Sequence, residues 1–524
     1  MKDIYYKKES LFRFIEKYYL HISFTFFLLI IIFSTYKHYG ISWDEPGYIM
    51  FAKHFIIKIF NIFNIKSNLQ DEVLYKYPID QYNAHIQSKG ILIDIMTIFL
   101  LQFLKNASFE MIHLIKALYS IPIFILVAYV VNRHIGRIYS FISMILLFLA
   151  PRFYGDVFDN AGDIQTALFV VCFSAYFIFY LRSKRTALKT ALLCFILALS
   201  INQRQILAYL FFVSLIIMFV ENNMNKLPVK KFITKALMMI LMVIVFMHLT
   251  NFYLMGKPII GLIDAFRSSR SFPFNGAVLF EGKNILAPEL PWYYLIKSMI
   301  ITIPLGIIFL TIIGLITCMT TILHRKITNN RRLIAVFFVL LLVVPFLLQI
   351  IFRPVLYDGW RHFIFLAIPI IIIASYGIKT IFNYRIKIVS LVLMVFIAIN
   401  SVLTIVEMIK LHPYQYIYYN ELVGGLKGAY GQYETDYWGK AYKEATEWFN
   451  KNINDQKKLY TIKLEGNSIS STYYFKPNMK STENIRDADY VFTFSRWNLQ
   501  TFYKGKIIKK IERDGVPLIF IIKT

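Results

Sequence analysis

Long apolar runs separated by short polar or basic turns set the pattern of this chain. About eleven of them have the length and apolarity expected of membrane-crossing helices: 21–36, 112–131, 138–150, 164–181, 187–201, 206–220, 232–249, 295–321, 333–351, 363–381 and 386–406. Two further segments are apolar without reading as crossings. In 46–60, Tyr48, Phe51, Phe55, Ile56, Ile59 and Phe60 recur at helical spacing with Lys53, His54 and Lys58 between them, the pattern of a helix lying on a membrane surface. The run 90–104 is short and holds Asp94 and Gln102, so it reads as interfacial.

The turns give the runs a direction. Arg133, His134 and Arg137, then Arg182, Lys184 and Arg185, then Lys226, Lys230 and Lys231, then His324 to Lys326 with Arg331 and Arg332, and finally Arg385 with Lys387 fall at alternate turns, which the positive-inside rule assigns to the cytoplasm. The basic N-terminus lies on the same side and reads as a retained signal anchor. Loops 37–111 and 251–292 and everything after Glu407 then lie outside. The tail 407–524 shortens its pattern to one amphipathic helix, 440–450, and strands at 458–463, 472–475, 490–494 and 518–522. The expected fold is an α-helical polytopic membrane protein, residues 1–406, carrying a small extracytoplasmic α/β domain, 407–524. Such a chain belongs in a plasma or inner membrane.

Composition agrees: 57% of the 524 residues are hydrophobic and 17% are charged, more apolar sequence than a soluble core needs. The net charge of +26 comes from 57 Lys and Arg against 31 Asp and Glu, much of it in the short turns. That distribution speaks for anionic lipid and against nucleic acid, because no basic face interleaves with stacking aromatics on a soluble domain. Cys172, Cys194 and Cys318 sit in or at the ends of apolar runs, neither a disulfide framework nor a metal set.

Candidate chemistry collects on one side. Asp44 and Glu45 follow the first run; Asp156, Asp159 and Asp163 follow the third; Tyr357, Asp358, Arg361 and His362 stand at the mouth of a late run. Acids beside a membrane are costly and mark function by default. A carboxylate there can take a proton from a hydroxyl, while Arg and His stabilise charge on a phosphate. Glu45 also reads as a solvated loop acid or a helix N-terminal charge before Pro46, Asp163 as a helix cap, and Arg361 as a snorkelling side chain. His54, His85 and His113 stand alone in their segments and read as packed or interfacial.

An Asp-Glu pair just past the first run and an acidic loop after the third, Pro151-Arg152-Phe153-Tyr154-Gly155 with Asn160 and Asp163, resemble the GT-C membrane glycosyltransferases. The stretch Tyr357 to His362, the run Tyr414 to Tyr419 with Gly424-Gly425, and Asp436-Tyr437-Trp438-Gly439 resemble bacterial members near the protein O-mannosyltransferases and lipid A aminoarabinose transferases. The resemblance implies an inverting transfer of sugar from a polyprenyl-phosphate carrier to a hydroxyl of a protein, lipid or glycan. It makes Asp44 the base, Glu45 a supporting acid, and Asp156 and Asp163 acceptor-orienting groups. Arg361, His362, Arg204, Arg267 and Arg270 would meet the donor phosphate, with Tyr357 a further substrate contact. The run Tyr414 to Tyr419, Trp438 and Asp436 would line the sugar pocket, although an aromatic belt at the membrane interface explains such residues about as well. No cofactor is implied with certainty; a divalent cation would sit among Asp44, Asp156 and Asp163. A transporter or flippase, and a non-catalytic envelope-assembly protein of the same fold, are the competing readings.

Overall fold

The computed structural model describes residues 2–65, 90, 92–101, 108–251, 254–255, 257–270, 274–324, 327–466 and 468–524. His85 and Gln102 lie outside the described residues. Nine helices among them are long and apolar enough to cross a membrane: Ile15–His38, Phe109–His134, Gly162–Arg182, Gln205–Met224, Val229–Thr250, Leu305–Leu323, Asn329–Phe352, Arg361–Phe382 and Lys387–Leu411. The apolar runs 138–150 and 187–201 form helices too, Arg137–Phe148 and Ala187–Gln203, which at 12 and 17 residues are shorter than those nine. Val229–Thr250 and Lys387–Leu411 bury only 17% and 22% of their apolar windows inside the protein. Surface of that kind needs lipid to cover it, and the chain is a multi-pass membrane protein.

The bundle is packed around Arg361–Phe382, whose window is 83% buried. Its tightest neighbour is Leu305–Leu323. A Cβ on Gly314 would stand 1.9 Å from the Ile373 carbonyl oxygen, and one on Gly377 would stand 2.1 Å from that of Leu310. Two facing glycines thus bring two backbones into contact, the small-residue mode of helix association in lipid.

Two expectations about segment boundaries need correction. The run 295–321 is not one helix: Tyr294–Ile300 stops, the chain turns through Thr302 to Pro304, and Leu305–Leu323 begins. Proline removes a donor and breaks the ladder, so carbonyls are left over. Asn420 Nδ2 takes two of them, donating to Ile300 O at 2.6 Å and Ile303 O at 2.8 Å. The loop 251–292 is also partly regular, with helix Pro258–Arg270 and a hairpin of β1 (Ala277–Phe280) and β2 (Lys283–Leu286).

The C-terminal domain is a five-stranded mixed sheet. Strands β3 (Tyr460–Leu464), β4 (Met479–Thr482), β5 (Tyr490–Phe494), β6 (Lys506–Arg513) and β7 (Val516–Lys523) run in the order β4-β3-β5-β7-β6, with β3 parallel to both β4 and β5 and the other pairs antiparallel. Helix Tyr442–Asn452 covers one face through Tyr442, Ala445 and Phe449. The expected strand at 472–475 is instead the end of a helical turn, Ile469–Thr472, and the chain after it. There Ser471 hydrogen-bonds Thr446 at 2.7 Å and Tyr473 reaches Glu110 at 3.4 Å. The polar β4, with Lys480, and the Lys-rich β6, which the aromatic and β-branched pattern did not mark, are the two edge strands, where charge guards an open edge.

Gly314→Leu should force the two helices apart, lowering the melting temperature of the detergent-purified protein through overpacking worth about 1–3 kcal/mol. Thermal unfolding monitored by fluorescence checks it; an unchanged melting temperature would refute the close crossing.

Candidate active site

Asp44 stands at the N-terminus of helix Glu45–Ile62. Its side chain makes no capping bond, so it is available for other partners. The loop before it is fixed from the C-terminal domain: Trp43 N donates to Trp438 O at 3.0 Å. Asp44 Oδ2 lies 3.3 Å from Arg361 Nη1, and the same nitrogen is 3.5 Å from Asp163 Oδ2. Arg361 Nε lies 3.0 Å from Asp358 Oδ2, and the guanidinium is 4.4 Å from the centre of the Trp438 ring and 4.8 Å from that of Tyr357. A buried cation is thereby held by three carboxylates and two aromatic faces. The snorkelling alternative for Arg361 fails, because its side chain is buried.

Asp163 belongs to Gly162–Arg182, but the cap of that helix is Asn160, whose side chain accepts from Asp163 N at 3.3 Å. The Asp163 carboxylate is instead ion-paired with Arg204 at 2.6 Å and accepts from Asn160 Nδ2 at 2.9 Å. Arg204 in turn donates to the His362 carbonyl at 3.1 Å, and the His362 ring meets Tyr357 edge-on at 4.7 Å. Three stretches distant in sequence therefore form one charge network.

Behind it lie two further buried groups that sequence reading undervalued. Lys440 Nζ sits 2.8 Å from Asp159, 3.5 Å from Asp156 and 3.2 Å from the Gly155 carbonyl, over the face of Tyr416 at 4.1 Å. Burial pushes the Asp159 carboxyl up to about 7, with Lys440 opposing and Glu45 and Asp156 adding to the rise. Glu45 is fully buried and bound to His113 at 3.0 Å and Lys116 at 2.8 Å. Burial alone would raise its carboxyl, but those two partners bring it below the usual range. Glu45 is therefore no solvated loop acid, and His113 is packed but has a partner. Their helical registers, Glu45 at a first turn and His113 with Lys116 one turn apart, carried the only available signal.

Asp358 links Arg361 to the C-terminal domain through Arg496, at 2.6 Å, and Arg496 also pairs with Glu434 at 3.0 Å. Burial pushes the Glu434 carboxyl up to about 7, with Arg496 opposing. Asp436 is buried beneath this layer, accepting from Tyr416 OH and from Gly439 N at 2.7 Å. It shapes the turn that presents Trp438 and Lys440. Arg267 is exposed on helix Pro258–Arg270, beside Gln205–Leu207, and the Arg270 side chain lies outside the described residues.

Among the described residues no three ligating side chains are placed to hold a metal ion. Asp44, Asp156 and Asp163, the set expected to do so, are each engaged by a cation: Arg361, Lys440, and Arg204 with Arg361. These residues do not fit a metal centre.

No family model matches the chain, and no curated protein matches it by sequence. Among solved structures it is similar to ArnT from Cupriavidus metallidurans bound to undecaprenyl phosphate, at 9% identity and a TM-score of 0.49 over 96% of this chain and 98% of that one. It is also similar to the archaeal oligosaccharyltransferase AglB from Archaeoglobus fulgidus in complex with an inhibitory peptide and a dolichol-phosphate, at 12% identity and 0.44 over 89% and 65%. A structure of the Archaeoglobus fulgidus oligosaccharyltransferase with Zn and sulfate matches at 11% and 0.36 over 77% and 58%.

Lys440→Met would leave Asp156 and Asp159 buried without their cation, a loss of about 3–5 kcal/mol. Calorimetry or thermal fluorescence should show a large fall in melting temperature, partly restored in the double variant with Asp159→Asn. Restoration that fails entirely, or a single variant as stable as wild type, speaks against the pairing.

Proposed function

We propose that the chain is an inverting membrane glycosyltransferase of the GT-C class, moving a sugar from a polyprenyl-phosphate donor to a hydroxyl acceptor on the extracytoplasmic face. One observation carries the reading. Asp44 keeps 32% of its side-chain surface exposed, whereas the other carboxylates of the network, Asp163, Asp358, Asp156, Asp159 and Glu45, are buried. A proton acceptor has to meet its substrate, and among these acids Asp44 is the one placed to do so.

In the proposed step the acceptor oxygen attacks the anomeric carbon as Asp44 takes its proton. The bond from that carbon to the phosphate oxygen breaks, its electron pair leaves with the polyprenyl phosphate, and the configuration inverts. Arg361, 3.3 Å from Asp44, supplies positive charge where the leaving phosphate becomes negative, with Arg204 behind it. Asp163 and Asp358 hold Arg361 in place before the substrate arrives, so little reorganisation is needed during reaction. Tyr357 and Trp438 pack on the Arg361 guanidinium and fix it beneath the sugar site, and His362 and Arg267 stand as secondary donor contacts. The lipid-exposed helices suit a donor whose prenyl chain stays in the bilayer, and the sequence motifs shared with the GT-C enzymes support the same class.

The orientation belongs to the same proposal. The basic turns lie at the helix ends away from Asp44, which sets those ends in the cytoplasm and the C-terminal domain outside.

Asp44→Asn should reduce transfer from a radiolabelled polyprenyl-phosphate sugar to an envelope extract by about 10²–10⁴-fold with the melting temperature preserved, because Asp44 is partly exposed and caps nothing. Equal transfer by both proteins would eliminate Asp44 as base. A phosphatase reporter fused after Glu407 should be active in cells; a fusion active only as a cytoplasmic reporter would reverse the topology.

A further inference from the structure

At the end of the bundle away from Asp44, a half-open cavity of ≈ 180 Å³ lies between the ends of two crossing helices, Phe109–His134 and Gly162–Arg182. Its lining is divided. Arg133, His134 and Arg182 form the polar end, while Tyr129, Ile178 and Phe179 form an apolar wall. Tyr129 and Phe179 are exposed on the outside of the bundle, so that wall is continuous with the surface that lipid covers.

Arg133 lies over the Tyr129 ring at 5.8 Å, but the charges here are not neutralised by an acid among the described residues. Three residues further along the same turn, Arg185 is satisfied by Glu221 at 2.5 Å. Among the described residues no carboxylate pairs with Arg133 or Arg182; Arg182 instead points Nη2 at His134 Nδ1, 3.1 Å away. Because a guanidinium can only donate, Nδ1 must accept, and the neutral imidazole carries its proton on Nε2. That Nε2 is buried without an acceptor. Lys379, donating to the Ile135 carbonyl at 3.2 Å, adds a further cation on the same side. Two exposed arginines and a buried N–H thus collect donors and positive charge without supplying an acceptor, an arrangement suited to an anion.

We propose that this cavity binds the phosphate headgroup of an anionic phospholipid, with Arg133 and Arg182 on the phosphate oxygens, His134 contributing its N–H, and an acyl chain lying along Ile178 and Phe179. The site is separate from the proposed catalytic face and its chemistry would persist whichever reaction that face performs. Basic pockets between helices at a membrane surface recognise lipid headgroups in this way, and the apolar wall selects a lipid over a free anion.

Thermal unfolding of the full-length protein in neutral detergent, titrated with cardiolipin, phosphatidylglycerol, phosphatidylcholine or inorganic phosphate, tests the proposal. The two anionic lipids should raise the melting temperature by about 2–4 °C, and phosphatidylcholine and phosphate should not. Arg133→Gln, an exposed change expected to fold, should remove at least half of that shift, and Arg133→Gln with Arg182→Gln should remove it. Lys231→Gln, exposed elsewhere on the same side, should keep it. Equal shifts with phosphatidylcholine, a full shift retained by the double variant, or the same shift with inorganic phosphate alone would each overturn the lipid assignment.

Discussion

The structure depends on the burial of one guanidinium. Arg361 opens a helix at the heart of the bundle, and a charge in that position is tolerable only when opposite charge surrounds it. Asp44 comes from the first loop, Asp163 from the helix after the second acidic loop, and Asp358 from its own turn. Asp163 and Asp358 are in turn fixed by Arg204 and Arg496, so the requirement spreads outward until it joins the transmembrane bundle to the C-terminal domain through Arg496 and Trp438.

The same electrostatics explain why two consecutive acids behave so differently. Asp44 and Glu45 straddle a helix start, and the turn there sends Glu45 inward onto His113 and Lys116 while Asp44 remains at the rim. A carboxylate locked between a buried lysine and a buried histidine has no reason to meet a substrate. One held loosely by a single shared arginine does, and the division of labour follows from backbone direction.

The C-terminal domain is part of this arrangement rather than an appendage. Its hydrophobic core includes Ile301 from the break between two bundle helices, and Asn420 repairs the carbonyls which that break exposes. Lys440 reaches from the domain into the acidic loop at Asp156 and Asp159. Loss of the domain would therefore unbalance charge inside the bundle as well as remove a cover from the site.

The sequence by itself determined the succession of apolar runs, the alternation of basic turns, and the gathering of Asp44, Asp163 and Arg361 at one end of the bundle. Those features are local: a run of Leu, Ile and Phe needs lipid or core wherever it folds, and loops sort by side once the runs are counted. Helix length and interruption were less legible at 138–150 and 295–321, where a turn after Phe148 and the break before Leu305 follow from packing and capping. Lys440 and Arg496 were not legible at all, and the Glu45 partners only as a helical register. A buried ion pair is decided by which two distant segments meet, and each member alone looks like an ordinary charged residue. Only the tertiary structure decided which carboxylate stays exposed, because exposure depends on which distant segments pack over each acid, and Asp44 is left at the rim.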